Sequence, residues 1–421
     1  MPCEADFSGA LPLLRSQRID HLVIDSLDVQ FWTNIYSMEI TSNECLSEVR
    51  YLLNCPSKIA LSKRFRGNDA QTFIEFLDQV LARSYLDDKL WRRGLRLLSK
   101  ICKAHTIIPS SYILQEEQIH VGRVHYHGGF ADVSDGKYQG CTVAIKQLRV
   151  DKGDSGKIFK RLCREIITWK HLSRPDNLSH PNILPLLGVS LSAELGSFRI
   201  LTEWMPNGNI MRYARSNPAA NRLRLLSEVM SSVAYLHNLK IVHGDLKGAN
   251  ILVDNTGTVR VADFGLMTMV DLSTVFLSGT LDFSGGTYCR MSPELLDPQR
   301  FHSNGRPTRE SDCYALGMVV YEVLTGLRPF HHIFAPTPVP AVLRGERPEK
   351  PPNAESLGFS GELWGLVQSC WSESSSMRPT ARELFDCIFP ASLTWDPPLV
   401  YPAVVADASS VTDSDSSGSL S

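Results

Sequence analysis

The sequence lacks the features that mark several large protein classes. Its ten cysteines are scattered without a C-x-x-C pair, which argues against a zinc site and a disulfide framework and favours reduced intracellular thiols. It contains no run of about 18 apolar residues that would predict a membrane span, and its start, with Glu4 and Asp6 and no basic residue, does not resemble a secretory signal. A formal net charge of -2 gives no reason to expect binding to nucleic acid. We therefore expect an intracellular, cytoplasmic protein.

The chain does contain enough apolar material for more than one folded unit. Its 421 residues are 43% hydrophobic and 21% charged, which is typical of globular proteins with two or three such units. Residues 1–110 are predicted to form a helical region of unknown role. Two apolar helix faces support this prediction: Phe73, Phe76, Leu77, Val80 and Leu81, then Leu90, Trp91, Leu95, Leu98 and Cys102. Asp87-Asp88 lies between them and is suited to cap the second helix.

The other face of that second helix is basic. It carries Lys89, Arg92, Arg93, Arg96, Lys100 and Lys103. One interpretation is a solvated face on a helical pair that packs beside the next domain. The alternative is a docking surface for an acidic protein partner.

The pattern changes at Pro109-Ser110-Ser111. It becomes strand-like, with the apolar run Val143–Ile145 and several glycines, and after about residue 205 it is mostly helical. A β-rich part followed by a larger helical part predicts an α+β fold with two lobes. A C-terminal tail over residues 391–421 is Ser/Asp-rich and acidic, and we expect it to be disordered from about residue 405.

One stretch carries polar groups at the spacing that phosphoryl transfer needs. His243 to Asn250 is followed by Asp263-Phe264-Gly265, and apolar residues surround both segments. Asp245 is suited to accept a substrate hydroxyl proton, and Lys247 to neutralise charge on the transferred phosphate. Asn250 and Asp263 offer oxygen ligands suited to Mg²⁺.

Upstream, Lys146 ends the predicted strand and Glu165 lies in a helical segment. An ion pair between them would direct Lys146 towards the phosphates of a nucleotide. The simpler alternative is a strand-end lysine whose ammonium group reaches water.

Taken together, these segments resemble the eukaryotic protein kinase domain. The resemblance implies a kinase domain over residues 111–390, with a bilobal fold: an N-lobe over about 115–204 and a C-lobe over about 205–390. His180-Pro181-Asn182, Cys370-Trp371 and Arg378-Pro379 are similar to the tyrosine-kinase-like group. Within it, Lys247 and Gly286-Thr287 resemble serine/threonine-directed enzymes. ATP, Mg²⁺ and protein substrates are implied, with Asp245, Lys247, Lys146 and Glu165 as catalytic residues.

The resemblance also implies a nucleotide site. Gly128 and Val133 would belong to its glycine-rich lid, in which Tyr126 and Ala131 replace the first and third glycines. The other implied nucleotide-binding residues are Ala144, Lys146, the gatekeeper Thr202, the hinge residues Glu203 and Met205, and Leu252.

Further matches concern structure and control. Glu294 is expected to pair with Arg378, and Asp312 to hold the backbone of the Asp245 loop. Gly244 stands where most protein kinases have arginine, so we expect activity to depend less on phosphates on the segment after Asp263. Candidate sites there are Ser273, Thr274, Ser278, Thr280 and Ser284. A pseudokinase binding module, favoured by the altered lid, and a tyrosine or dual-specificity kinase remain alternatives.

Overall fold

The computed structural model of the chain describes residues 42–62, 65–83, 86–127, 131–148, 155–173, 179–192, 197–263, 288–333 and 338–395. Several sequence predictions lie outside the described residues. These are Gly128 of the lid, the candidate phosphorylation sites from Ser273 to Ser284, the Gly286-Thr287 pair and the acidic tail. Within the described ranges, no helix combines the length and apolar character needed to cross a membrane.

The N-terminal part of the described chain is helical. It consists of α1 (Asn43–Asn54), α2 (Pro56–Ser62), α3 (Gly67–Arg83) and α4 (Asp88–His105). The two apolar faces predicted from the sequence are both buried, and the Asp87 carboxylate accepts the backbone N–H groups of Lys89 and Leu90 as the N-cap of α4. The predicted helical region is therefore confirmed over residues 43–105, and residues 1–41 lie outside the described residues. On the basic face of α4, Lys89, Arg96 and Lys100 are exposed, whereas Arg92, Arg93 and Lys103 are half-buried.

An antiparallel sheet follows. Its strands are β1 (Ile119–His127), β2 (Ala131–Tyr138), β3 (Cys141–Leu148), β4 (Leu186–Ser192) and β5 (Ser197–Glu203), in the order β1-β2-β3-β5-β4. Helix α5 (Ser155–Leu172) connects β3 to β4 in the chain and packs against β4. In β3, the side chains of Val143 and Ile145 point into the sheet core, and Lys146 lies on the other face because successive side chains alternate.

Beyond residue 205 the described chain is mostly helical. The elements are α6 (Ile210–Ser216), α7 (Arg222–Asn238), the hairpin β6 (Ile251–Val253) and β7 (Val259–Val261), α8 (Pro293–Leu296), α9 (Arg309–Thr325), α10 (Val339–Leu343), α11 (Gly361–Cys370) and α12 (Ala381–Leu393). A sheet lobe followed by a helical lobe confirms the predicted α+β, two-lobed fold.

Helix α9 forms the centre of the helical lobe. A capping box between Thr308 and Ser311 starts the helix, and Gly326, in the left-handed conformation, ends it. Every residue from Ser311 to Thr325 is buried, so α9 has no polar face and is packed on all sides. This placement puts Asp312, in its first turn, inside the lobe.

Most of the described cysteines are reduced. Eight of them are thiols outside any disulfide, and six of these are buried. Cys141 is the exception because it is joined in a disulfide. The expectation of reduced thiols therefore holds for those eight and fails at Cys141.

Candidate active site

The loop that carries Asp245 is held from inside the lobe by Asp312. Its Oδ2 atom accepts the backbone N–H of His243 at 2.8 Å, and its Oδ1 atom accepts that of Gly244 at 2.8 Å. The ring of His237 adds a contact of 2.9 Å between Nε2 and Oδ2. Because the two backbone donors use different carboxylate oxygens, the loop is fixed in orientation as well as in position. The predicted role of Asp312 is confirmed.

His243 joins this loop to the segment that leads to Asp263. Its Nδ1 atom accepts the Asp245 backbone N–H at 3.2 Å, and its Nε2 atom lies 3.0 Å from the carbonyl oxygen of Ala262. Since a carbonyl only accepts, the proton lies on Nε2 and the ring is neutral. Complete burial lowers the pKa of His243, although the nearby carboxylates of Asp312 and Asp245 oppose that shift.

Asp245 is held through one of its two carboxylate oxygens. Lys247 donates from Nζ to Oδ2 at 2.7 Å, and Asn250 donates from Nδ2 to the same Oδ2 at 2.9 Å and to the Asp245 backbone oxygen at 2.8 Å. Among the described residues, Oδ1 takes no donor. The carboxylate is therefore fixed in direction by two donors, and one oxygen stays available to accept a proton.

An ion pair connects the two lobes. Lys146, on β3 of the sheet lobe, lies with Nζ 2.8 Å from Oδ2 of Asp263, which follows β7 of the helical lobe, and both side chains are 24% exposed. Burial would raise the pKa of Asp263, but the Lys146 ammonium together with Lys247 and His243 outweighs burial and holds that pKa below its ordinary range. Asp263 also has a backbone φ of +61°, which is uncommon for a residue other than glycine and frequent at functional sites.

Glu165 lies in the middle of α5, and its Oε2 atom is buried. The sequence predicted a pair between Glu165 and Lys146. In this structure the ion pair of Lys146 is the one to Asp263, and the pair with Glu165 stays a prediction.

The sheet register brings the expected nucleotide-site residues together. Val133 of β2 is opposite Lys146, and Ala144 of β3 is opposite Thr202 of β5. Because opposed residues on neighbouring strands lie about 5 Å apart, these four positions cluster at one region of the sheet.

The segment after β5 connects the sheet lobe to the helical lobe. Thr202 is buried, and its hydroxyl donates to the carbonyl oxygen of Glu203 at 3.3 Å. The Met205 side chain is buried too, while its backbone N–H has no acceptor within the described residues. Leu252 of β6 pairs with Asn209 just after this segment. The sheet register and this segment thus place Val133, Ala144, Lys146 and Thr202 close to the Met205 backbone N–H.

Comparison with known proteins gives the family. The protein kinase domain matches residues 120–389 of the chain. The chain belongs to the protein kinase domain family. The helices before residue 106 lie outside the matched kinase residues.

Several curated protein kinases are similar to the chain. It is 32% identical over 294 residues to the probable serine/threonine-protein kinase drkA of Dictyostelium discoideum, covering 67% of this chain and 41% of that protein. It is 28% identical over 267 residues to the serine/threonine-protein kinase STY46 of Arabidopsis thaliana, covering 62% of this chain and 42% of that protein. With the serine/threonine/tyrosine-protein kinase HT1 of the same plant it shares 30% identity over 271 residues, covering 62% of this chain and 63% of HT1. The chain thus spans about two fifths of the length of drkA and STY46.

The kinase family usually has arginine where this chain has Gly244, and the backbone gives a reason for the glycine. Gly244 has a φ of +81°, in the left-handed region. A Cβ atom there would lie 3.3 Å from the Cβ and Cγ atoms of Pro307. For other residues the left-handed region costs about 1–2 kcal/mol. Gly244 therefore allows the loop a backbone conformation that other residues adopt only at a cost. This role is separate from its lack of a guanidinium group.

The predicted pair between Glu294 and Arg378 is present. Arg378 donates from Nη1 and Nη2 to the two carboxylate oxygens of Glu294, each at 2.7 Å, and its side chain is fully buried. It also lies over the ring of Tyr314. Burial would raise the pKa of Glu294, but the hydrogen bonds from Arg378 hold that pKa below its ordinary range. The pair connects α8 to the loop before α12.

Sequence reasoning missed a second buried pair in the helical lobe of the kinase domain. Arg290 donates to Glu322 of α9, with Nε 3.2 Å from Oε2, and both side chains are 10% exposed. Burial would lower the pKa of Arg290, but Glu322 outweighs it and raises that pKa, and Asp245 adds to the effect. A buried guanidinium thus contributes positive potential near Asp245. The sequence held a signal: Glu322 is the sole charged residue from Cys313 to Leu324, and a buried acid needs a cation.

The donor types fit a magnesium ion. Asn250 uses its amide nitrogen on Asp245, which leaves the amide oxygen as a ligand, and Asp263 is held ionised. Within the described ranges, no group of three or more His, Cys, Asp or Glu side chains could hold a metal. Mg²⁺ suits such a site because it takes one or two protein oxygens and completes its shell with water and substrate phosphates.

Proposed function

We propose that the chain transfers the γ-phosphoryl group of ATP to serine and threonine hydroxyls of protein substrates in intracellular signalling. One observation carries the proposal: Asp245 is held through Oδ2 by Lys247 and Asn250, while Oδ1 has no donor within the described residues. A carboxylate fixed in this way can orient a substrate hydroxyl and accept its proton as the phosphoryl group is transferred.

Each residue has a separate role in the proposed mechanism. Lys146 would bind the nucleotide phosphates beneath the lid of Gly128 and Val133, and Glu165 would position Lys146. Lys247, already bonded to Asp245, would neutralise charge on the transferred group. Asn250 and Asp263 would hold Mg²⁺, which supplies charge neutralisation of the phosphates when bound. The adenine would contact Ala144, Thr202 and Leu252 and the backbone at Glu203 and Met205. Positioning and electrostatics would then supply most of the rate enhancement.

Serine/threonine specificity has two supports. Lys247 and the Gly286-Thr287 pair resemble serine/threonine-directed kinases, and drkA and STY46 are named as such enzymes. Dual specificity is the second candidate, because the name of HT1 includes tyrosine.

A transfer assay on the purified full chain tests the proposal. Wild type is expected to incorporate γ-phosphate from Mg-ATP, and phosphoamino-acid analysis is expected to give phosphoserine and phosphothreonine. Asp245→Asn and Lys146→Met are expected to lower incorporation by at least about 10²-fold. Asp386→Asn and Lys100→Met, at exposed positions on α12 and α4, are the matched controls and should behave as wild type.

Two results would contradict this function. Equal incorporation by wild type, Asp245→Asn and Lys146→Met would leave a pseudokinase that acts as a binding module. Phosphotyrosine as the main product would replace serine/threonine specificity with tyrosine specificity.

The organisation of the chain belongs to the same proposal. We propose a helical region over residues 1–110, a kinase domain over 111–390 and an acidic tail over 391–421, in a cytoplasmic protein. The eight reduced thiols support an intracellular location, and the disulfide at Cys141 is the exception among the described cysteines. The basic face of α4 supports a protein partner for the helical region, because Lys89, Arg96 and Lys100 are exposed on it.

A further inference from the structure

A buried polar cluster lies between the helical region and α5, away from the catalytic residues. Its centre is Asp78 of α3, whose side chain is 3% exposed. The Tyr112 hydroxyl donates to Oδ1 of Asp78 at 2.5 Å. Nε2 of His171, near the end of α5, lies 3.0 Å from the same oxygen, and the His171 side chain is 1% exposed. One carboxylate oxygen thus joins α3, the segment before β1 and α5.

Helix α4 adds contacts along the same side of α5. The ring of Trp91 meets the ring of His171 edge-on, with centroids 6.3 Å apart. Two turns earlier in α5, the thiol of Cys163 contacts that of Cys102, and this hydrogen bond, together with burial, raises the pKa of Cys102. Both cysteines are completely buried. The helical region therefore touches α5 near its C-terminal end and again two residues from Glu165.

The C-terminal end of α5 is also tied to the sheet lobe. Trp169 donates from Nε1 to the carbonyl oxygen of Leu184 at 2.7 Å, and Lys170 donates from Nζ to that of Leu187 at 2.6 Å. The segment after Tyr112 joins the same lobe, since the Leu114 N–H donates to the Val189 carbonyl oxygen at 2.8 Å. Helix α5 is thus packed between the sheet and the helical region.

The chemistry of this cluster specifies one arrangement of the helices. A buried carboxylate is costly unless polar partners surround it. Asp78 has Tyr112 and His171 beside it only while α3, the segment before β1 and α5 keep this arrangement. Apolar contacts alone would tolerate small rotations or shifts of α5. They would change the hydrogen bond from the Tyr112 hydroxyl to Asp78 Oδ1, which weakens steeply with angle, and the 3.0 Å distance between His171 Nε2 and the same oxygen.

We propose that residues 43–112 form a built-in positioning element for α5, in which the contact of His171 with Asp78 sets the orientation of Glu165. Glu165 lies six residues before His171 on one helix, or about 9 Å along its axis. A rotation of α5 at His171 would therefore turn Glu165 relative to Lys146. This inference rests on the proposed function, in which Glu165 positions Lys146 for phosphate binding. His171 is a positioning residue and contacts no substrate.

One side of the helical region already contacts the kinase domain within the chain. The apolar face of α4 and Asp78 of α3 make those contacts, so an external protein would be left with the basic face of α4. Deletion of residues 1–110 would expose the buried side of α5, and substitutions at single residues are the better test.

A double-mutant cycle on the full chain tests whether His171 acts through Glu165. The four proteins are wild type, His171→Ala, Glu165→Gln and the double variant, and the measured quantity is kcat/KM for ATP. We expect His171→Ala to lower kcat/KM about tenfold in wild type and by less than about twofold in the Glu165→Gln background. His171→Gln, which keeps a polar nitrogen at a similar reach from the helix, should restore most of the loss. Ser99→Ala is the matched control, because the buried Ser99 hydroxyl donates within α4 to Leu95, and it should leave kcat/KM unchanged.

Hydrogen exchange supplies a readout that needs no catalysis. Asp78→Ala, and Tyr112→Phe, which removes one hydroxyl and keeps the ring, should speed amide exchange within residues 155–172, whereas Ser99→Ala should not. An equal fall in kcat/KM in both Glu165 backgrounds would overturn the inference, as would no fall with His171→Ala. Unchanged exchange in residues 155–172 would overturn it as well. If wild type shows no transfer, the proposed function fails, and the exchange data alone decide whether the helical region orders α5.

Discussion

Replacement of Gly244 tests whether the glycine beside Asp245 is required by the backbone. Gly244→Ala places a Cβ atom at a φ of +81°, with Pro307 atoms 3.3 Å away. The left-handed conformation costs about 1–2 kcal/mol for alanine, and the contact with Pro307 requires a further small shift. We therefore expect the free energy of unfolding to fall by about 1–2 kcal/mol, or by slightly more if Pro307 does not move.

Gly345→Ala is the matched control in the same lobe. Gly345 has a φ of +90°, but a Cβ atom there would have no neighbour within 4 Å. The Gly345→Ala variant therefore reports the backbone cost alone, and the difference between the two variants reports the cost of the Pro307 contact. Urea unfolding with an unchanged m-value measures the free energy of unfolding of each variant. A Gly244→Ala variant as stable as wild type, beside a destabilised Gly345→Ala, would refute the reasoning.

Three further predictions concern charge and control. Arg378→Ala leaves Glu294 buried without its cation, so we expect the free energy of unfolding to fall by about 3–5 kcal/mol; a loss below about 1 kcal/mol in urea unfolding would contradict this. Because the pKa of buried His243 lies below its ordinary value of 6.5, the unfolded chain binds more protons below that pH, and stability should fall as pH is lowered through it. Because the pKa of Glu294 is lowered, stability should fall further below about pH 4.5. A urea midpoint that does not change with pH would contradict the predictions for His243 and Glu294. Since Gly244 cannot bind a phosphate through a guanidinium, phosphatase treatment should leave kcat within about twofold. Loss of turnover on dephosphorylation would contradict this and show that another group binds a phosphate on the segment after Asp263.

Local sequence patterns predicted much of the fold and the site. The faces of α3 and α4 repeat at helical spacing, and Asp87 has a short side chain ahead of the first turn, so both follow from nearby residues. Asp245, Lys247 and Asn250 contact one another within one short loop. The spacing of polar residues also identified Lys146 and Asp263, although it did not predict the ion pair between them, and the resemblance to kinases added the Glu294–Arg378 pair.

Other features depend on long-range packing that no local pattern shows. The φ of Gly244 follows from the two hydrogen bonds that Asp312 accepts from the loop and from the position of Pro307. Asp78 occurs in an apolar helix face, but its partners Tyr112 and His171 are 34 and 93 residues away. Asp78 was visible in the sequence, and its two partners became evident only after the helices were packed.

The central claim is that Asp245 acts on the substrate hydroxyl and not on nucleotide binding. The most direct test is single-turnover transfer from ATP to a peptide, measured for wild type and Asp245→Asn together with the Kd for ATP. We predict that the transfer rate falls by about 10²–10⁴-fold while the Kd for ATP stays within about twofold. An unchanged transfer rate, or a loss of ATP affinity that accounts for the whole fall, would contradict the claim.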